Sequence, residues 1–137
     1  MPETLSQVLL DTIRNYPKPD FMLYKKEGRY VPISTEEFGR SVKHFCLGLR
    51  ELGLKKGDRI IILSENRPEW VMADLGNLCL GASTVPVYTS LVPEQIKYIV
   101  DDSDAEAIIV SNLEQWKKIE AVSPALSKVR HFIAFME

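Results

Sequence analysis

Metal-ligating and nucleophilic side chains are scarce in this sequence. Its 137 residues include two cysteines, Cys46 and Cys79, and two histidines, His44 and His131. No CxxC spacing occurs, so no metal set is read. Both cysteines fall among apolar residues at helical spacing. They are expected to be buried small hydrophobes rather than a disulfide, which suits a reducing compartment. His44 belongs on the exposed side of a long helix and His131 at the opening of a strand, neither with a partner. Excess charge of one sign is also lacking. The net charge is −2, which leaves no footprint for nucleic acid. Lys25-Lys26 and Lys55-Lys56 are isolated doublets and read as solvated surface. No apolar run is long enough to span a membrane. Met1-Pro2-Glu3-Thr4 lacks the basic and apolar regions of a signal peptide. A cytoplasmic location follows, with a peripheral place at a membrane left open. Phosphate motifs are missing as well. There is no GxGxxG, no GxxxxGKS/T, no Ser/Thr/Gly-rich loop and no GxSxG elbow.

What is present is an alternation. Residues Gly57 to Tyr88 read as strand, turn, helix, turn, strand. Ile60-Ile61-Ile62-Leu63 is a continuous run of the kind found in parallel strands covered on both faces. Pro68 fits the first turn of a helix, where its missing N–H costs nothing. Asn66 caps better, but Pro68 drives Arg67 out of the α region, so either residue fits the cap. The helix from about Pro68 to Leu80 has only Glu69, Asp74 and Asn77 as clearly polar residues. Trp70, Val71, Leu75, Leu78 and Cys79 cover more than one stripe, as in a helix enclosed on most sides. Gly76 permits close approach by another element. A chain this short seldom has the bulk to cover such a helix, so the chain is expected to be an incomplete part of a larger domain.

Upstream, Leu5, Val8, Leu9, Ile13 and Tyr16 predict an amphipathic helix over residues 4 to 16. Phe21–Lys25 and Arg29–Ile33 flank Glu27-Gly28 as a hairpin, with Pro32 on an edge. Ser34 and Glu37 form a capping box for a helix from Thr35 to Leu52. Its inner stripe is Phe38, Val42, Phe45, Leu49 and Leu52, and Gly53 is its left-handed cap. Downstream, a short helix opens at Pro93 and is broken by Asp101-Asp102-Ser103-Asp104. Ala107–Val110 is a buried strand. A helix follows from Leu113 to Ala121 with Trp116 and Ile119 inward. Val129–Phe135 is a last strand. The fold class is α/β: a mostly parallel sheet flanked by helices, with an N-terminal helix and an antiparallel hairpin. In such sheets ligands sit at the carboxyl ends of strands. These ends are Ser64-Glu65-Asn66-Arg67, Tyr88-Thr89-Ser90 and Ser111-Asn112. Asn66, Arg67, Tyr88 and Thr89 are therefore the candidate substrate or interface contacts. Capping, surface charge and a plain strand end also account for them.

The run Gly57-Asp58-Arg59-Ile60-Ile61-Ile62-Leu63-Ser64-Glu65-Asn66-Arg67-Pro68-Glu69-Trp70 resembles the N-terminal region of the adenylate-forming superfamily. The long-chain fatty acyl-CoA synthetases are the branch it looks most like. Gly81-Ala82-Ser83-Thr84-Val85-Pro86-Val87-Tyr88-Thr89-Ser90-Leu91, with Pro93-Glu94-Gln95-Ile96, resembles the same family. The resemblance implies a parent ligase. Such an enzyme joins a fatty acid to AMP from ATP with Mg2+, then transfers the acyl group to coenzyme A. The phosphate loop, the adenine motif and the catalytic lysine of the family match nothing between Met1 and Glu137. No catalytic residue is carried over. The chain itself is expected to bind no cofactor and to be inactive, with the remainder of the parent as its partner and self-association through exposed apolar surface open. Two other readings stand beside it: an amino-acid or aryl-acid activating enzyme, and a self-sufficient α/β interaction module.

Overall fold

The computed structural model describes residues 4–135. The signal-peptide reading of residues 1 to 3, and residues 136 and 137, lie outside them. Among the described residues twelve elements follow one another. Helix α1 spans Leu5–Asn15, strands β1 and β2 span Met22–Lys26 and Arg29–Ile33, and α2 spans Thr35–Glu51. Strand β3 is Arg59–Leu63, α3 is Pro68–Leu80 and β4 is Ser83–Val87. Helix α4 is Pro93–Ser103, β5 is Ala107–Val110, α5 is Leu113–Val122, a 3-10 turn covers Ser123–Ala125, and β6 is His131–Ala134. Among the described residues no helix is long and apolar enough to cross a membrane.

β3, β4, β5 and β6 form one parallel sheet in the order β4-β3-β5-β6. β3 lies in its interior, and Ile60, Ile61, Ile62 and Leu63 are completely buried. Side chains alternate across a strand, so the register Ile61↔Ile108 carries each face of β3 onto the same face of β5. Ile61, Leu63, Ile108 and Val110 meet Ile96 and Val100 of α4 and Ile119 of α5. Ile60, Ile62, Ala107 and Ile109 meet Leu49 of α2 and Ala73 of α3. A third cluster joins α1, the hairpin, α2 and α3 through Leu9, Phe38, Val42, Phe21 and Met72. Burying each large side chain of β3 contributes about 1.5–3 kcal/mol, which makes this strand the core of the molecule.

Local signals set the element ends. Ser34 Oγ accepts from the Glu37 backbone N–H at 3.1 Å, and the Glu37 carboxylate accepts from the Ser34 N–H at 2.9 Å, which completes the capping box of α2. Glu27 and Gly28 at φ 49° and 79° turn the hairpin. Arg67 is the N-cap of α3 with extended backbone and no side-chain cap bond, because Pro68 fixes that register. Gly81 at φ 82° ends the helix.

Several expectations are corrected. Leu52 is exposed, and Leu54 beyond the turn fills the core in its place. Cys46 is half-buried and Cys79 exposed, because Cys79 lies toward the solvent margin of α3. Asp101, Asp102 and Ser103 remain helical, and only Asp104, in the left-handed region at φ 53°, ends α4. β6 begins at His131 rather than Val129. The expected partial covering of α3 is not among these corrections: the helix is not fully enclosed by the described residues. Ala73, Gly76 and Asn77 are buried, whereas Trp70, Val71, Leu75 and Leu78 are only half-buried.

Candidate functional site

Three neighbouring strands release polar residues at the carboxyl edge of the sheet. The turn after β3 carries Ser64, Glu65, Asn66 and Arg67, and the turn after β5 carries Ser111 and Asn112. Strand order brings these two turns together. The Glu65 carboxylate accepts from Ser111 Oγ at 2.5 Å, Asn112 Nδ2 at 3.2 Å and Gln115 Nε2 at 3.1 Å. Asn112 is also the N-cap of α5, its Oδ1 accepting from the Gln115 backbone N–H at 3.0 Å. Burial pushes the Glu65 carboxyl up, but hydrogen bonds from Ser111, its own backbone, Asn112 and Gln115 outweigh it and hold the group below its usual value. Gln115 is 1% exposed, and its Oε1 has no hydrogen-bond partner among the described residues.

Arg67 joins the same cluster. Its Nε donates to Glu69 Oε2 at 2.7 Å and its Nη1 to the Ser111 carbonyl at 3.3 Å. The guanidinium also lies 5.6 Å from the centre of the Phe135 ring. Arg67 therefore ties the start of α3 to the end of β5, a positioning geometry. Asn66 is exposed on the same turn. Tyr88 and Thr89 follow β4, on the opposite side of β3. Tyr88 is 81% exposed, and the Thr89 carbonyl accepts from Lys118 Nζ. The four sequence candidates thus divide: Arg67 is built into the β3–β5 cluster, Asn66 is exposed on the same turn, and Tyr88 and Thr89 belong to the β4 edge. The sequence marks Glu65 and Ser111 as polar strand ends without singling them out as contacts, and it does not point to Gln115. All three stand at strand ends or on a helix start, but their convergence depends on β3 pairing with β5, which spacing alone does not reveal.

Two hollows border this edge. A cleft of about 1440 Å³ lies between the hairpin, the first half of α2 and the turn into α3, lined by Lys25, Arg40, His44, Glu65, Asn66 and Arg67 among others. A smaller one of about 410 Å³ is apolar and lies between α5 and β6, against Leu113, Trp116, Phe132 and Phe135. Trp116 and Phe132 meet edge to face at 5.5 Å.

The sequence pattern of one family, described as AMP-binding enzyme, matches residues 10–135. This chain belongs to that family. The curated relatives include the long-chain-fatty-acid–CoA ligase FadD15 of Mycobacterium bovis, 31% identical over 116 residues, which cover 81% of this chain and 19% of the relative. The long-chain-fatty-acid–CoA ligase ACSBG1 of Bos taurus is 27% identical over 136 residues, 99% of this chain and again 19% of the relative. This AMP-binding family member therefore spans about a fifth of the length of those relatives. Solved structures share its fold. The inhibitor-bound N-terminal domain of FACL13 from Mycobacterium tuberculosis superposes with a TM-score of 0.86 at 22% identity, covering 98% of this chain and 34% of that one. A fatty acyl CoA synthetase of the same organism gives 0.82 at 22% identity, covering 95% and 26%.

ATP and Mg2+ are what the family name leads one to look for. The residues of this edge do not fit them. Glu69 already engages the Arg67 guanidinium at 2.7 Å, and Ser111, Asn112 and Gln115 hold the Glu65 carboxylate, so the charged groups of this edge are committed to one another and form no anion cradle. Among the described residues no group of three or more His, Cys, Asp or Glu is gathered to hold a cation. No chemical step is assigned to this edge.

Proposed function

We propose that this chain forms the N-terminal part of the large domain of an ATP-dependent, AMP-forming long-chain fatty acid–CoA ligase. In that enzyme a fatty carboxylate is first joined to AMP, which turns a poor electrophile into one with a good leaving group. Coenzyme A thiolate then takes the acyl group as a thioester. The chain's part is architectural. It supplies a parallel sheet whose carboxyl edge is braced by Glu65 and Arg67, on which the remainder of the polypeptide builds. Catalytic, ATP, Mg2+ and coenzyme A contacts belong to that remainder, and the isolated chain is inactive. A cytoplasmic or membrane-peripheral setting suits a fatty acid substrate.

The observation that carries this reading is the family match over residues 10–135, joined to coverage of only 19% of the fatty acid–CoA ligases it is similar to. The carboxylate-centred edge supports the inactivity of the chain alone. The reading is tested by supplying the polypeptide that contains this segment with ATP, coenzyme A and oleate. Oleoyl-CoA and AMP are expected in equal amounts. Release of ADP in place of AMP, or ligation of aromatic or amino acids in preference to oleate, would refute it. Exposed Tyr88 and half-buried Thr89, on the β4 side, are proposed as contacts with the remainder of the polypeptide, with Asn66 on the cleft side.

A further inference from the structure

Cys46 and Cys79 lie away from the carboxyl-edge cluster: Cys46 is at the crossing of α2 and α3, against Gly76, and Cys79 is three residues beyond that glycine on α3, at the exposed margin. Contacts between these helices step in one direction along both chains. Val42 shares a cluster with Val71, Met72 and Leu75. Gly76 meets Phe45 and Cys46. Leu49 shares the next cluster with Leu80. The two helices therefore run parallel here. Positions 72, 76 and 79 repeat at i, i+4 and i+7, one face of α3, and positions 42, 46 and 49 do the same on α2. A Cβ built on Gly76 would stand 3.5 Å from the Cys46 backbone nitrogen, so the helices pass close where the glycine is. Cys79 is the next position along that face, one turn beyond the crossing. Cys46 is half-buried and Cys79 exposed, and both thiols are free. Burial pushes the Cys46 thiol up, the charge of Cys79 pushes it further, and Arg50 opposes both.

We propose that Cys46 and Cys79 form a dithiol site, which a low-molecular-weight disulfide such as oxidised glutathione converts to an intramolecular bridge between α2 and α3. Cys79 is the accessible thiol and reacts first. Its thiolate attacks one sulfur of the oxidant, a mixed disulfide forms, and the first glutathione thiolate leaves. The Cys46 thiolate then attacks the Cys79 sulfur and expels the second glutathione. Two protein thiols are oxidised to one disulfide, one glutathione disulfide is reduced to two thiols, and the two protons pass to the departing thiolates. The bridge pins the two helices that cover one face of β3. It is independent of the ligase reading.

The test uses the whole chain, with its α/β fold checked by circular dichroism beforehand. It is equilibrated with oxidised and reduced glutathione, denatured, blocked with N-ethylmaleimide and weighed intact. The proposal expects a monomer lighter by two hydrogens, without maleimide, whose Cys46 and Cys79 peptides are linked. Reduced glutathione should restore both labels. Cys46→Ser should stop at a single glutathione adduct on Cys79, and Cys79→Ser should remain largely unmodified. Wild-type chain that keeps both maleimides, carries glutathione on both sulfurs, or links two chains through Cys79 would overturn it. The wild-type mass alone decides the matter should a serine variant misfold.

Discussion

Gly76 shows how one missing side chain sets a packing distance. A Cβ there would lie 2.6 Å from Phe45 Cδ1. Gly76→Ala gains about 1 kcal/mol of helix propensity. It also forces Phe45 out of place, and overpacking costs about 1–3 kcal/mol. The clash should win, so the urea midpoint should fall while the slope stays constant. Glu65 argues a pH dependence. Its carboxyl lies below its ordinary value of 4.5 in the fold. A depressed carboxyl contributes stability above the unfolded value, and that contribution is lost as pH falls through the folded value. Glu65→Gln should therefore flatten the acid limb of the stability curve from just above 4.5 downward. A variant whose acid limb is unchanged would show that the Ser111, Asn112 and Gln115 donors contribute nothing. Asn66 and Arg67 were readable as strand-end residues because Pro68 and the apolar run marked the turn. Glu65 stands on the same strand end, but its place at the centre of a cluster was not legible, since its three donors come from residues more than forty positions away.

Single elements were legible where local rules decide them. The Ser34–Glu37 box, the glycine cap at Gly53 and the proline start of α3 all follow from short spacings that the fold obeys. Ser34→Ala removes the acceptor for the Glu37 N–H and should cost about 1 kcal/mol, measured by thermal or urea unfolding. Misreadings came where packing overrides local pattern. Leu52 continues the apolar stripe of α2, yet Leu54 is drawn into the core once the chain turns at Gly53. Three acidic residues in four looked like a helix breaker. Asp101 and Asp102 stay in α4, where Lys97 pairs with Asp101 one turn away, and only Asp104 ends the helix. β3 is the element on which the sheet depends. Ile61→Ala should cost about 2–5 kcal/mol, against a change within about 0.5 kcal/mol for exposed Tyr88→Ala. Comparable losses at the two positions would contradict the assignment of β3 as the core strand.

At the scale of the whole molecule, strand order β4-β3-β5-β6 was beyond sequence reasoning, but the parallel α/β class was not, because strand and helix alternate from Arg59 onward. The apolar stretch after Asp74 explains itself only partly within the chain. α3 keeps half-buried Trp70, Val71, Leu75 and Leu78, and Leu113 and Phe132 are exposed beside the apolar groove between α5 and β6. If these surfaces meet the remainder of a ligase, the isolated chain should bind a hydrophobic dye in its native state. That fluorescence should vanish when the chain is part of the longer polypeptide. In the proposed reading the chemistry resides outside these 137 residues. Oleate-dependent ATP–pyrophosphate exchange, run on this chain and on the polypeptide containing it, measures that directly. The account predicts none in the first and clear exchange in the second. Exchange by the chain alone, or none by either, would contradict it.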